Sequence, residues 1–309
     1  MNVHADFTAE PSTQPLLRGA LRGSMKGLFR GLIRPAMPVA GQRVTLRMLT
    51  AAMPVTAGVS RSKELIAGRP CEWHRPEQSD GKVMLYLHGG AFLIGSPATH
   101  RGLCASIARR SQLSVCVLDY RLAPEHPFPA ARDDAVEAYK ELLARGYLPQ
   151  NIALGGDSAG GNLGLITALR LAELALPVPG ALVCFSPVVD FSGDQLHNPA
   201  AGDPLLNVSW IEQAADLYCP PGMNRRDPAL SPIFADLAGL PPLLIQVGEE
   251  EVLLNDSLRL AERARAAGVT VRLERYPGLW HVFQAHTGLL RSADEALDRV
   301  AVFLSSLQG

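Results

Sequence analysis

The sequence predicts an α/β protein with a mostly parallel central sheet flanked by helices. Two observations carry this. From Val59 onward, short apolar runs alternate with segments of helical periodicity, the pattern of βαβ units whose sheet is covered on both faces. Two glycine-rich stretches, at 88–96 and 156–161, each follow directly on one of those runs, where a strand turns into a helix. The chain of 309 residues is 47% hydrophobic and 19% charged, enough to bury a large core and too apolar for disorder.

Residues 1–15 are polar, contain two prolines and are expected to be loose. Between Leu16 and Arg34 a four-residue rhythm sets in. Arg18, Arg22, Lys26 and Arg30 are each followed by Gly, and Leu17, Leu21, Leu28, Phe29, Leu32 and Ile33 supply an apolar face at helical spacing. Four glycines inside one helix cost on the order of 1 kcal/mol each relative to alanine, so this helix needs a surface to lie on. That surface is either the protein itself or, through weak contact of residues 16–34, a lipid. A second helical segment, 42–52, is ended by Pro54. Strands are expected near 59–66, 70–74, 82–87, 114–118, 152–155, 181–185, 243–247 and 269–275, with helices near 98–110, 130–145, 159–175, 255–267 and 293–307. The run 191–232 breaks the alternation: Gly, Pro and Asp clusters surround one helix at 206–218, so it reads as an insertion at the sheet's C-terminal edge.

Twenty-nine basic and thirty acidic residues leave a net charge of −1, which disfavours a nucleic-acid partner. No apolar run is long enough for a membrane span. The five cysteines, Cys71, Cys104, Cys116, Cys184 and Cys219, contain no CxxC pair, which argues against a disulfide framework or structural zinc. The N-terminus has no secretory pattern, so the expected location is cytoplasmic.

The central motif is Gly156-Asp157-Ser158-Ala159-Gly160-Gly161, between the strand at 152–155 and an apolar helix. It is a G-x-S-x-G turn in the strand–turn–helix setting that exposes a nucleophilic serine and aims a helix N-terminus at the reaction centre. A hydroxyl needs a base and an orienting acid, in the chain order Ser, acid, His. After Ser158 stand His197, His281 and His286; His281, in the loop before the last helix, is best placed to lean over the sheet edge. The acid belongs at the end of the strand 243–247, where Glu249, Glu250, Glu251 and Asp256 compete and the pattern alone does not separate them. Upstream, His88-Gly89-Gly90-Ala91-Phe92 is an oxyanion-type loop whose small residues let backbone N–H groups point inward. Its donors would be the amides of Gly89 and Gly90 together with Ala159, and His88 is expected to hold the loop rather than transfer protons.

These residues identify a resemblance. The stretches HGGAFLIGS (88–96), DYRLAPEHPFPAA (119–131), GDSAGGNL (156–163), SPVVDF (186–191), DPLL (203–206), SPIFADLAGLPPLLIQVGEEEVLLND (231–256) and GLWHVF (278–283) are similar to those of the hormone-sensitive-lipase-like bacterial esterases of the α/β-hydrolase superfamily. The resemblance runs from about residue 59 to the end. It implies the α/β-hydrolase fold with a helical cap made of 1–50 and 191–232 over a core of 51–190 and 233–309. It selects Glu251 as the acid, in place of the commoner aspartate. It implies substrate contacts at Phe92, Asp203, Leu205, Leu206 and Val282, and support of the oxyanion loop by the stretch Asp119–His126. It also implies a small-molecule ester substrate, no cofactor or metal, and a homodimer formed through the strand 269–275.

The function expected is a carboxylesterase that hydrolyses short- to medium-chain esters with Ser158, His281 and Glu251 through an acyl-enzyme. The alternatives are an amidase or lactonase with the same triad, or a non-catalytic small-molecule-binding protein on the same fold.

Overall fold

The computed structural model describes residues 6–11 and 13–305. Nine strands form one sheet: β1 (Phe7–Thr8), β2 (Val59–Ile66), β3 (Arg69–Pro76), β4 (Val83–Leu87), β5 (Ser114–Leu118), β6 (Ile152–Asp157), β7 (Ala181–Phe185), β8 (Leu243–Gly248) and β9 (Val271–Tyr276). Their spatial order is β1-β9-β8-β7-β6-β4-β5-β3-β2. The β2–β3 and β3–β5 pairs are antiparallel and the rest parallel. Every residue of β4 to β8 is buried, as a parallel sheet covered on both faces requires. The covering helices are α4 (Arg101–Ser111), α5 (Ala130–Ala144), α6 (Ala159–Glu173), α8 (Leu254–Ala266) and α9 (Arg291–Ser305). The last helix was expected to reach 307; residues 306–307 lie outside the described residues.

From β4 the chain crosses to β5 on one side and returns to β6 on the other. The carboxyl ends of β4 and β6, paired through Leu87 and Gly156, therefore open the crevice where open α/β sheets bind ligands. Both glycine-rich turns sit at this point.

Two expectations about the N-terminus change. Residues 7–8 are not loose: β1 pairs parallel with β9, Phe7 opposite Glu274 and Thr8 opposite Arg275. A dimer through β9 would have to share or displace that strand. Residues 1–5 lie outside the described residues. The helix from Leu16 runs unbroken to Leu32, but its pitch is not uniform. Helix α1 (Pro15–Ser24) widens into a π turn at Met25–Phe29 and ends in the short α2 (Arg30–Leu32). An α-helix turns 100° per residue, so a four-residue rhythm drifts around it by about 40° per repeat; the wider π turn takes part of that drift back and keeps the repeats aligned.

Helix α3 (Val39–Thr50) and the insertion with α7 (Val208–Tyr218) complete the layer above the sheet's carboxyl edge. They are tied to each other: Trp210 Nε1 donates to Gln42 Oε1 at 2.9 Å, Gln213 Nε2 to the Pro35 carbonyl at 3.1 Å, and Arg30 Nη1 to the Asp203 carbonyl at 2.9 Å. Ile33, Leu46, Leu206 and Trp210 belong to the same buried apolar cluster as Leu85 and Leu154, so this layer shares the core of the sheet.

Candidate active site

Ser158 stands between β6 and α6 with φ 53° and ψ −118°, a conformation that L-residues avoid and that costs of order 1–3 kcal/mol. The turn is held closed from outside: Ser158 N donates to the Phe185 carbonyl at 2.8 Å. It is so tight that a Cβ on Gly160 would lie 1.8 Å from the Leu87 carbonyl oxygen, so glycine is required there. The serine ends up half-buried in the lining of a cavity of about 300 Å³ that His281 also lines.

His281 follows β9 in a loop and is almost wholly buried. Its Nδ1 lies 3.2 Å from Glu251 Oε1, which leaves Nε2 as the nitrogen for chemistry. Glu251 is fully buried, and its other oxygen accepts from Ser186 Oγ at 2.7 Å and Gly248 N at 3.0 Å. Ser186 Oγ in turn accepts from Val282 N at 3.3 Å, linking the acid to the loop that carries the histidine. Burial opposes a charged imidazole, yet the hydrogen bond and charge of Glu251, helped by Asp203 and Asp157, hold His281 above the usual histidine value.

Tertiary structure separates the four competing carboxylates. Glu249 pairs with Arg275 at 2.7 Å and Glu250 with Arg22 at 2.5 Å, so arginines take both. Asp256 is buried under the Val189 and Asp190 amides, at 2.8 and 3.2 Å, and burial pushes it up to about 7. Glu251 is the one that reaches His281.

The loop after β4, which also lines the cavity, carries three consecutive positive φ angles, Gly90 at 121°, Ala91 at 55° and Phe92 at 60°. A Cβ on Gly90 would lie 2.3 Å from the Ile94 carbonyl oxygen. The loop is fastened by buried polar groups. His88 Nδ1 donates to the Gly89 carbonyl at 2.9 Å, its ring stacks on Tyr120 at 4.3 Å, and Tyr120 Oη donates to the His88 carbonyl at 2.6 Å. Burial, with the neighbouring His100, pulls His88 down to about 3, so it is a neutral spacer.

One expected oxyanion donor is already engaged: Gly89 N donates to Asp157 Oδ1 at 3.0 Å. Asp157 also accepts from Tyr86 Oη at 2.8 Å and faces His100 Nε2 at 3.3 Å. A buried carboxylate draws in every donor within reach, because an unpaired charge there is so costly. The amides of Gly90 and Ala159 are not drawn into this network.

Of the five residues expected against the substrate, Leu205, Leu206 and Val282 line the cavity. Phe92 does not; its left-handed backbone sends the ring inward to stack on Tyr218, 3.8 Å between centroids. Asp203 does not line the cavity either, its carboxylate taken by the amides of Leu205, Leu206 and Val252 at 2.8, 3.0 and 3.0 Å. Sequence reasoning missed Met25, Phe29, Leu46, Trp210 and His100 on the cavity wall. The first four carry no signal that distinguishes them from ordinary core residues, since a cavity lined by apolar side chains has the same periodicity as a packed core. Among the described residues no cluster of three or more His, Cys, Asp or Glu could hold a metal ion, and no helix is long and apolar enough to cross a membrane.

With this geometry in hand, the chain can be compared with known proteins. Residues 84–285 match a family described by its alpha/beta hydrolase fold. An acetyl-hydrolase of Streptomyces hygroscopicus is 40% identical over 240 residues, covering 77% of this chain and 80% of that protein. An esterase of Acinetobacter venetianus is 38% identical over 244 residues, covering 78% and 80%. The crystal structure of an esterase from the bacterial hormone-sensitive lipase family superposes with a TM-score of 0.87 at 38% identity, covering 95% of this chain and 98% of that one. Fold, turn chemistry and sequence likeness agree: the chain belongs to the α/β-hydrolase fold family and, within it, to the bacterial hormone-sensitive-lipase-like esterases, which are carboxylic ester hydrolases.

Proposed function

We propose that the protein is a carboxylesterase for short- to medium-chain esters that works through a Ser158–His281–Glu251 triad. The observation that carries the reading is one cavity lined both by the strained Ser158 turn and by His281, with the buried Glu251 behind the histidine at 3.2 Å. Ser158 Oγ attacks the ester carbonyl while His281 Nε2 takes its proton. Glu251 holds Nδ1 protonated, so that Nε2 is the basic nitrogen, and stabilises the imidazolium that forms. The tetrahedral oxyanion is received by the amides of Gly90 and Ala159, Ala159 being the first residue of α6, whose N-terminus favours negative charge. His281 then gives its proton to the leaving alcohol, and water repeats the sequence to release the acid and regenerate the serine.

The cavity supports this substrate class. Its volume of about 300 Å³ suits a ligand of modest size, and its wall is mostly apolar, with Leu205, Leu206 and Trp210 from the insertion and Met25, Phe29 and Leu46 from the N-terminal helices. Likeness to an acetyl-hydrolase supports a short acyl group. In this reading 1–50 and 191–232 act as the cap and 51–190 with 233–309 as the catalytic core. A panel of p-nitrophenyl esters of rising chain length, run on the wild type and on Ser158→Ala and His281→Ala, tests it. The wild type should turn over short and medium chains, and both variants should lose at least about a thousandfold in kcat. Retained turnover in Ser158→Ala refutes the nucleophile assignment.

A further inference from the structure

The N-terminal part of the chain, reaching into β2, has a lopsided charge. Residues 11–63 contain nine Arg and Lys and no Asp or Glu, while the rest of the chain holds twenty basic and thirty acidic residues. Some of these cations serve the fold: Arg22 pairs with Glu250, Arg43 makes a two-pronged bond to Glu125, and Arg30 holds the Asp203 carbonyl. Lys26 and Arg34 are exposed and form no ion pair among the described residues.

The four-residue rhythm of this segment sorts its side chains into ridges. Leu17, Leu21, Met25, Phe29 and Ile33 turn toward the protein, with Met25 and Ile33 buried. The next ridge, Leu16, Ala20, Ser24, Leu28 and Leu32, is exposed along its whole length; Leu16 is 89%, Leu28 52% and Leu32 42% exposed. Beside it runs the glycine ridge, where an added Cβ at Gly19, Gly23, Gly27 or Gly31 meets nothing within 4 Å, so nothing described in this chain lies on it. Of the two surfaces the sequence allowed this helix, the protein takes the inner ridge and leaves the outer one uncovered. Leu28 belongs to both the exposed ridge and the cavity wall, so the uncovered face runs onto the mouth of the cavity.

We propose that the outer face of residues 16–34 docks on an anionic phospholipid bilayer. Leu16, Leu28 and Leu32 enter the headgroup boundary, and Lys26 and Arg34 lie against the headgroup charge. The acidic remainder of the molecule is repelled by the same surface, which turns the N-terminal helices and the cavity mouth toward it. As a route for delivering amphiphilic esters to the cavity, this rests on the esterase reading above; the docking itself does not.

The test is co-sedimentation with phosphatidylcholine vesicles, with and without phosphatidylglycerol. The wild type should bind the phosphatidylglycerol vesicles alone and release them as salt is raised. Lys26→Gln/Arg34→Gln should weaken that binding by about thirtyfold at low salt, and Leu16→Ser/Leu32→Ser should weaken it by about tenfold or more. Both double variants should keep wild-type turnover of soluble p-nitrophenyl acetate, which also reports that they fold. The proposal is overturned if the wild type ignores phosphatidylglycerol. It is equally overturned if sedimentation equilibrium reveals a dimer that Leu16→Ser/Leu32→Ser dissociates, because a second copy then covers the ridge. A wild type that binds vesicles yet cleaves no ester leaves the docking standing and refutes the esterase reading.

Discussion

Replacing Glu251 with glutamine changes one charge and almost no volume, and the surrounding donors dictate how the new amide sits. Ser186 Oγ and Gly248 N both point at Oε2, at 2.7 and 3.0 Å. A glutamine NH2 placed there would face an N–H that can only donate, leaving buried groups unpaired at about 1–3 kcal/mol each. The amide oxygen therefore keeps the Oε2 place, and the NH2 turns to His281 Nδ1, which Oε1 faces at 3.2 Å in the native protein. An NH2 in that place donates, so Nδ1 becomes an acceptor and the ring proton moves to Nε2. The imidazole is then in the tautomer that cannot take a proton from Ser158. A tautomer error of this kind, together with loss of the charge that stabilises the imidazolium, lowers kcat by about 10³–10⁴, or about 4–5.5 kcal/mol of barrier. KM should change little, because Glu251 does not line the cavity. Steady-state kinetics on p-nitrophenyl acetate at pH 8 measures this, with a thermal melt to show that the fold persists. A kcat within tenfold of wild type would refute the arrangement of donors described here.

The remaining predictions concern pH, packing and selectivity. Because Glu251 holds His281 above the ordinary histidine value of about 6.5, the base is neutral only at higher pH, and kcat/KM should rise with pH through a midpoint above that value. In Glu251→Gln burial dominates and the midpoint of the residual activity should move down; an upward move contradicts the charge argument. Gly160→Ala drives a Cβ to 1.8 Å from the Leu87 carbonyl and must displace either β4 or α6. Urea denaturation should show a loss of about 3 kcal/mol or more, and a change below 1 kcal/mol would contradict so close an approach. Leu206→Ala enlarges the apolar wall, so the ratio of kcat/KM for octanoate to that for acetate should rise by about fourfold or more, one added methylene contact being worth about 0.8 kcal/mol; an unchanged ratio would place the acyl chain elsewhere.

Much of this protein can be read without coordinates. The βα alternation dictates a parallel sheet because apolar runs of five or six residues flanked by amphipathic helices have no other way to bury both faces. Glycine turns leave a plain mark at Gly160 and Gly90, since backbone–backbone contact tolerates no other residue. What stayed hidden depends on which distant groups meet. Glu249, Glu250 and Glu251 are chemically alike in the chain; resemblance alone points to Glu251, and the physical distinction between them comes from the positions of Arg275, Arg22 and His281. Gly89 reads as a donor to the oxyanion until the fold sets Asp157 against its amide. Phe92 and Asp203 read as cleft residues until Tyr218 and three amides claim them. The strand Phe7–Thr8 exists only because β9 offers it an edge. Local sequence sets periodicity and backbone sterics, which act over a few residues. Hydrogen bonds and ion pairs go to whichever partner is nearest in space, and that is decided only when the chain has folded.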